Sequence, residues 1–94
     1  NSGRTWSNAE LAKRLNVSED YFIRLFREIV GTSPNQYVQS LRHKEAQRLL
    51  RDTNLKIEQI GRQLGYEDLH NFSHFFKKRQ GIAPREYRKL FQMV

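Results

Sequence analysis

Asp20, Ile23, Arg24 and Arg27 recur at i, i+3, i+4 and i+7, a spacing that sets four side chains on one face of a helix. Phe22, Leu25, Phe26 and Ile29 fill the other face and are expected to point inward. An outward guanidinium at Arg24 can donate two parallel hydrogen bonds to the edge of a guanine, and Ile23 can meet a thymine methyl. Asp20 can accept from a cytosine amino group but repels phosphate. Arg27 is a candidate for a phosphate contact. Both arginines can equally clamp phosphate without reading sequence, because half or more of protein–DNA hydrogen bonds go to the backbone. A second set follows fifty residues on. Leu69, His70, Ser73 and His74 lie outward of Phe72, Phe75 and Phe76, near the start of their segment, where base contacts are usually made. Lys77, Lys78 and Arg79 extend that surface as phosphate candidates, with a solvated charge run as the plainer reading of the last two.

These residues need helices to hold them, and the chain punctuates helices clearly. Ser7 to Glu10 fits a capping box, with Leu11, Ala12 and Leu15 as one apolar stripe. Ser18 caps the next segment, Glu19 and Asp20 suit its dipole, and Gly31 stops it. Ser33-Pro34-Asn35-Gln36 opens a long helix to about Asp52. Its apolar face is not one stripe. At 100° per residue, Tyr37, Val38 and Leu41 centre near ~50° and Ala46, Leu49 and Leu50 near ~175°. One helix serving two small cores is the reading adopted; one broad buried face is the alternative. Ile57, Ile60 and Leu64 then meet a turn at Gly65, the Phe72 segment runs to Gly81, and a final helix opens at Pro84. Asn1 to Trp6 reads as turn-like. No period-two pattern persists, so the chain is expected to be all-α.

Composition narrows the partner. Seventeen Lys and Arg against ten Asp and Glu leave a charge of +7, a basic surface that attracts polyanions such as nucleic acid. The absence of cysteine excludes disulfide and thiolate chemistry and suits a reducing cytosol. No apolar run approaches the ~20 residues of a membrane span, and no secretory signal pattern opens the chain. His70 and His74 stand four apart, but no glutamate lies between them and no third ligand is evident, so no metal site is expected. His43 reads as structural or exposed. Glycine patterns for a nucleophile elbow or a phosphate loop are missing, so neither an enzyme nor a cofactor is expected.

The chain also repeats itself. Phe22 and Phe72, Phe26 and Phe76, Gly31 and Gly81, Pro34 and Pro84, and Tyr37 and Tyr87 are fifty apart; Leu11 and Ile60, and Leu15 and Leu64, are forty-nine apart. One residue is inserted in the second turn. A helix-turn-helix cannot bury its apolar face alone, so two such units sharing a supporting helix is the economical fold. The expected organisation is a first unit over about 7–31, a linking helix over 34–52, a second unit over 56–81 and a closing helix over 84–92. The starts of the helices near Asn35 and Arg85 are further phosphate candidates, since backbone N–H groups there bind anions. Arg88 is a possible addition to that charge.

Ile57-x-x-Ile60, Gly65-Tyr66, Phe72-x-x-x-Phe76-Lys77, Gly81, Pro84 and Tyr87-Arg88 resemble the signature of the AraC/XylS transcription regulators. The pattern Tyr37, Arg42, Ala46, Leu49-Leu50 is similar to their linking helix. The resemblance runs from Ser7 to about Arg88. It implies a bacterial, cytoplasmic regulator of transcription, more often an activator, whose DNA-binding domain meets two successive major-groove segments as one protomer. It implies the same outward set in the second recognition helix, and places any effector site in a separate domain. Two departures are expected to matter for packing. The family usually carries one more helix before its first unit, whereas six residues precede Ser7 here, which would leave that unit less well packed. Gly61 stands where alanine is usual, at a helix cost of up to ~1 kcal/mol. His74 stands where arginine is frequent, so base preference does not carry over. Two rival readings remain: a helical module for an acidic protein partner such as RNA polymerase, and a single-strand binder. The latter needs exposed aromatics for stacking, and nearly all here sit at core spacing.

Overall fold

The computed structural model describes residues 7–92; the turn-like reading of Asn1 to Trp6 lies outside them. Six helices follow in order: α1 (Asn8–Arg14), α2 (Glu19–Val30), α3 (Pro34–Asp52), α4 (Ile57–Gln63), α5 (Leu69–Gln80) and α6 (Pro84–Gln92). There is no strand among the described residues, so the fold is all-α. Two compact units divide the chain, residues 1–40 and 41–94, with the boundary inside α3.

Each unit opens with the same local device. In the first, the Ser7 hydroxyl accepts from Glu10 N–H and the Glu10 carboxylate accepts from Ser7 N–H, completing the capping box. Helix α1 ends with Asn16 in the left-handed region at φ 62°. Val17 N–H reaches back to Ala12 C=O at 3.0 Å and Asn16 N–H to Lys13 C=O at 3.1 Å. Forty-nine residues later Gly65 takes φ 98°, Tyr66 N–H reaches Gly61 C=O at 2.9 Å and Gly65 N–H reaches Arg62 C=O at 3.1 Å. Both pairs of bonds are Schellman closures, which satisfy the orphan carbonyls and turn the chain sharply into the next helix. Asparagine tolerates that backbone because its short amide bonds locally, whereas most side chains strain there.

The second unit holds the larger core. Ala46, Leu49 and Leu50 of α3 pack with Ile60, Phe72, Phe76 and Tyr87, and all seven are buried. Phe76 sits edge-on to Tyr87 with ring centroids 5.3 Å apart, a favoured aromatic geometry. Polar side chains then fasten the rim. Gln80 Oε1 accepts from Gln47 at 2.9 Å and lies 2.8 Å from His43 Nε2, so His43 ties α3 to α5. The Arg88 guanidinium donates to the carbonyls of Leu50 at 3.1 Å and Thr53 at 3.3 Å. A cation on the last carbonyls of α3 also complements the negative end of its dipole. Arg88 therefore acts as a structural cap while remaining half-exposed.

Gly61 is a packing requirement. A Cβ there would stand 2.9 Å from Phe72 Cβ and 3.0 Å from Phe72 Cγ, atoms fixed close to the α5 backbone. Gly61→Ala gains up to ~1 kcal/mol of helix propensity. Overpacking of this kind costs about 1–3 kcal/mol. The net expectation is destabilisation, read as a lower denaturant midpoint; a higher midpoint would show that α4 moves off α5 freely.

The first unit is more open. Ala12, Phe22 and Pro34 are buried, and Leu25, Phe26 and Val38 are half-buried. Three inward expectations are corrected here. Ile29 is 75% exposed, Tyr37 is 41% exposed against 6% for its repeat partner Tyr87, and Leu41 is exposed. Ile29 and Leu41 match Arg79 and Phe91 of the repeat, which are exposed as well. Tyr87 instead packs with Ala46, Leu49 and Leu50 of α3 in the larger core, and among the described residues Tyr37 has no equivalent cover. The Tyr37 ring lies edge-on to Phe26 at 5.7 Å.

Candidate nucleic-acid interface

Helices α2 and α5 are twelve residues each and start and stop in the same register, fifty residues apart. Their starts are fixed by side-chain caps. The Ser18 hydroxyl accepts from Tyr21 N–H at 3.1 Å, and the Asp68 carboxylate accepts from Asn71 N–H at 2.8 Å. Their ends are fixed by Gly31 and Gly81 in the left-handed region. Phe22 in one, and Phe72 and Phe76 in the other, anchor the buried face. The opposite face is therefore presented to solvent by construction.

On α2, Asp20, Arg24 and Arg27 are exposed and Ile23 is half-buried at the edge of their stripe, not fully outward as expected. With Glu28, these four line one shallow concavity along the helix. The Arg24 guanidinium lies 5.4 Å from the Tyr21 ring centre, a cation–π contact that narrows its orientations. The spacing Tyr21-x-x-Arg24 carries that signal, which the sequence reading passed over.

On α5, Leu69, His70 and His74 are exposed and Ser73 is half-buried. The two imidazoles stack at 6.4 Å with 21° between planes. No group of three or more His, Cys, Asp or Glu side chains that could hold a metal occurs among the described residues. Lys77, Lys78 and Arg79 are exposed, with Arg79 lying 5.6 Å from the Phe75 ring centre. Behind them Tyr66 rests on Phe75 at 5.1 Å and Phe72 at 5.8 Å, and Arg42 lies 5.7 Å from its ring centre. Burial pushes the Tyr66 phenol above its ordinary range, against the opposing pull of Arg42.

Asn35 and Arg85 occupy the second positions of α3 and α6 and are exposed. Arg85 shares a concavity with Lys56, Arg88, Lys89, Ile57 and Leu69, which brings four cations beside the start of α5. Glu58 lies at its edge, paired with Arg62 at 2.7 Å. Lys56 was not legible as a member of this group, because it is separated in sequence from Arg85, Arg88 and Lys89. No helix among the described residues is long and apolar enough to cross a membrane.

A family model described as a helix-turn-helix domain matches residues 11–90. Among curated proteins, an uncharacterised HTH-type transcriptional regulator of Bacillus subtilis, YisR, is 41% identical over 81 residues, which is 86% of this chain. The chain spans 28% of that relative's length. Among solved structures, a regulator from Chromobacterium violaceum with an AraC-type DNA-binding domain is 34% identical, with a TM-score of 0.81 over 95% of this chain and 80% of the other. The DNA-binding domain of AdpA, solved with a target DNA, is 25% identical, with a TM-score of 0.87 over 98% of this chain and 83% of the other.

Proposed function

The chain belongs to the AraC-type helix-turn-helix family of transcriptional regulators, and from that premise we propose that it binds specific sites on double-stranded DNA through two recognition helices. Helix α2 reads one major-groove segment with Asp20, Ile23 and Arg24. Helix α5 reads the next with Leu69, His70, Ser73 and His74. Arg27, Asn35, Lys77, Lys78, Arg79 and Arg85 hold phosphates on either side. The observation that carries this reading is the paired register of α2 and α5: each is capped, each is stopped by a left-handed glycine, and each sets polar side chains outward over buried phenylalanine. The likeness to AdpA, whose domain was solved on a target DNA, supports the same partner. The family resemblance favours activation in a bacterial cytoplasm, with RNA polymerase as the protein partner.

Arg24→Ala tests the reading in a single step. The side chain is exposed, so the melting temperature is expected to hold. Affinity for the cognate duplex should drop by ~1–3 kcal/mol, with discrimination relaxed at one base pair. If the domain met only an acidic protein, Arg24→Ala and His74→Ala would both leave duplex affinity intact. A single-strand binder would instead prefer unpaired DNA over duplex in competition.

A further inference from the structure

The net charge is divided unevenly between the two units. Residues 1–40 hold five Lys and Arg against four Asp and Glu, a net of +1; residues 41–94 hold twelve against six, a net of +6. The outward faces repeat the contrast. The α2 face carries Arg24 and Arg27 together with Asp20 and Glu28, all exposed and lining one concavity. None of the four is held in an ion pair among the described residues, so all four charges stand open on that face. Helix α5 has no carboxylate from Leu69 to Gln80, and its last turn is Lys77, Lys78 and Arg79. Lys56, Arg85, Arg88 and Lys89 add four cations beside its start, against one carboxylate, Glu58.

Resting on the reading above, we propose that the two units, both reading bases, divide the electrostatic work on duplex DNA: the second supplies most of the sequence-blind grip on phosphate, and the first adds a penalty, with Asp20 and Glu28 acting against phosphates of the wrong site. Phosphate neutralisation by lysine and arginine is blind to sequence and disappears with salt. A face with equal numbers of cations and carboxylates gains little from phosphate alone. It gains only where each charge finds its match, a guanine edge for arginine and a cytosine amino group for a carboxylate. Like-charge juxtaposition against the wrong partner is a common source of specificity.

The test compares the full chain with two variants on a selected duplex and on its scrambled counterpart, across a salt series. Asp20→Asn with Glu28→Gln keeps shape and removes both carboxylates from exposed positions. Two like-charge contacts at surface dielectric lead us to expect about tenfold tighter binding to the scrambled duplex. The selected-to-scrambled ratio should fall by a similar factor. Lys77→Ala with Lys78→Ala and Arg79→Ala should weaken both duplexes alike, keep the ratio, and make the log–log salt slope shallower by ~2–3. An unchanged ratio in the carboxylate variant, or a ratio lost in the cation variant, overturns the division. Far-ultraviolet circular dichroism checks that both variants fold. A wild-type chain that binds no duplex at all would overturn instead the functional reading beneath it.

Discussion

Phe76→Ala should unfold the second unit at a far lower denaturant concentration than the wild type. Phe76 is fully buried, with Phe72 at 6.2 Å, Tyr87 at 5.3 Å and His43 at 5.4 Å around its ring. Truncating a phenylalanine in such a core costs about 3–5 kcal/mol, because transfer energy and a cavity are lost together. A domain this small has only on the order of 5–10 kcal/mol in total, so most of the folded population is at risk at 37 °C. The repeat supplies an internal control. Phe26 occupies the matching place in the first unit but is only half-buried, so Phe26→Ala should cost clearly less. Equal midpoint shifts for the two variants would mean that the difference in burial between the units has no energetic weight.

Salt should weaken DNA binding steeply. With roughly 6–10 phosphates contacted, log Kd should change with log salt at a slope near 5–9 in magnitude, a loss of about 10³–10⁵ between 50 and 200 mM. The basis is the +7 charge, together with six exposed candidate contacts from Arg27 to Arg85. Titration by fluorescence anisotropy on a cognate duplex measures it. Binding to a cognate site that is weak and indifferent to salt would contradict the assignment of these cations to phosphate.

The helices were legible because their signals are local. Ser7, Ser18 and Ser33 each accept the N–H bond that their positions promised. Phe72 and Phe76, four apart on one face, are both buried as the period required. What the sequence hid depends on neighbours distant along the chain. Periodicity gives Ile29 a face but not a covering partner, and no described residue buries it. Arg88 looks like one more surface cation until α6 brings it to carbonyls 35 and 38 residues away. Gly61 looks like a weak helix residue until Phe72 is placed against it. Asp68 stands fifty residues after Ser18 and caps α5 as Ser18 caps α2, a signal the repeat carried. At the candidate interface, the exposed stripes follow from the same periodicity that buries the phenylalanines. The grouping of Lys56 with Arg85 and Lys89 does not, since it joins two helices.

The most direct measurement is selection of bound sites from random duplexes, followed by hydroxyl-radical footprinting of the winners. Two protected segments about one helical turn apart, ~10 base pairs, on one face of the duplex are expected. In such a footprint, Arg24→Ala should relax one segment and His74→Ala the other. A pool with no enriched sequence, or one protected segment altered equally by both substitutions, would contradict a protein that reads DNA with two separate helices.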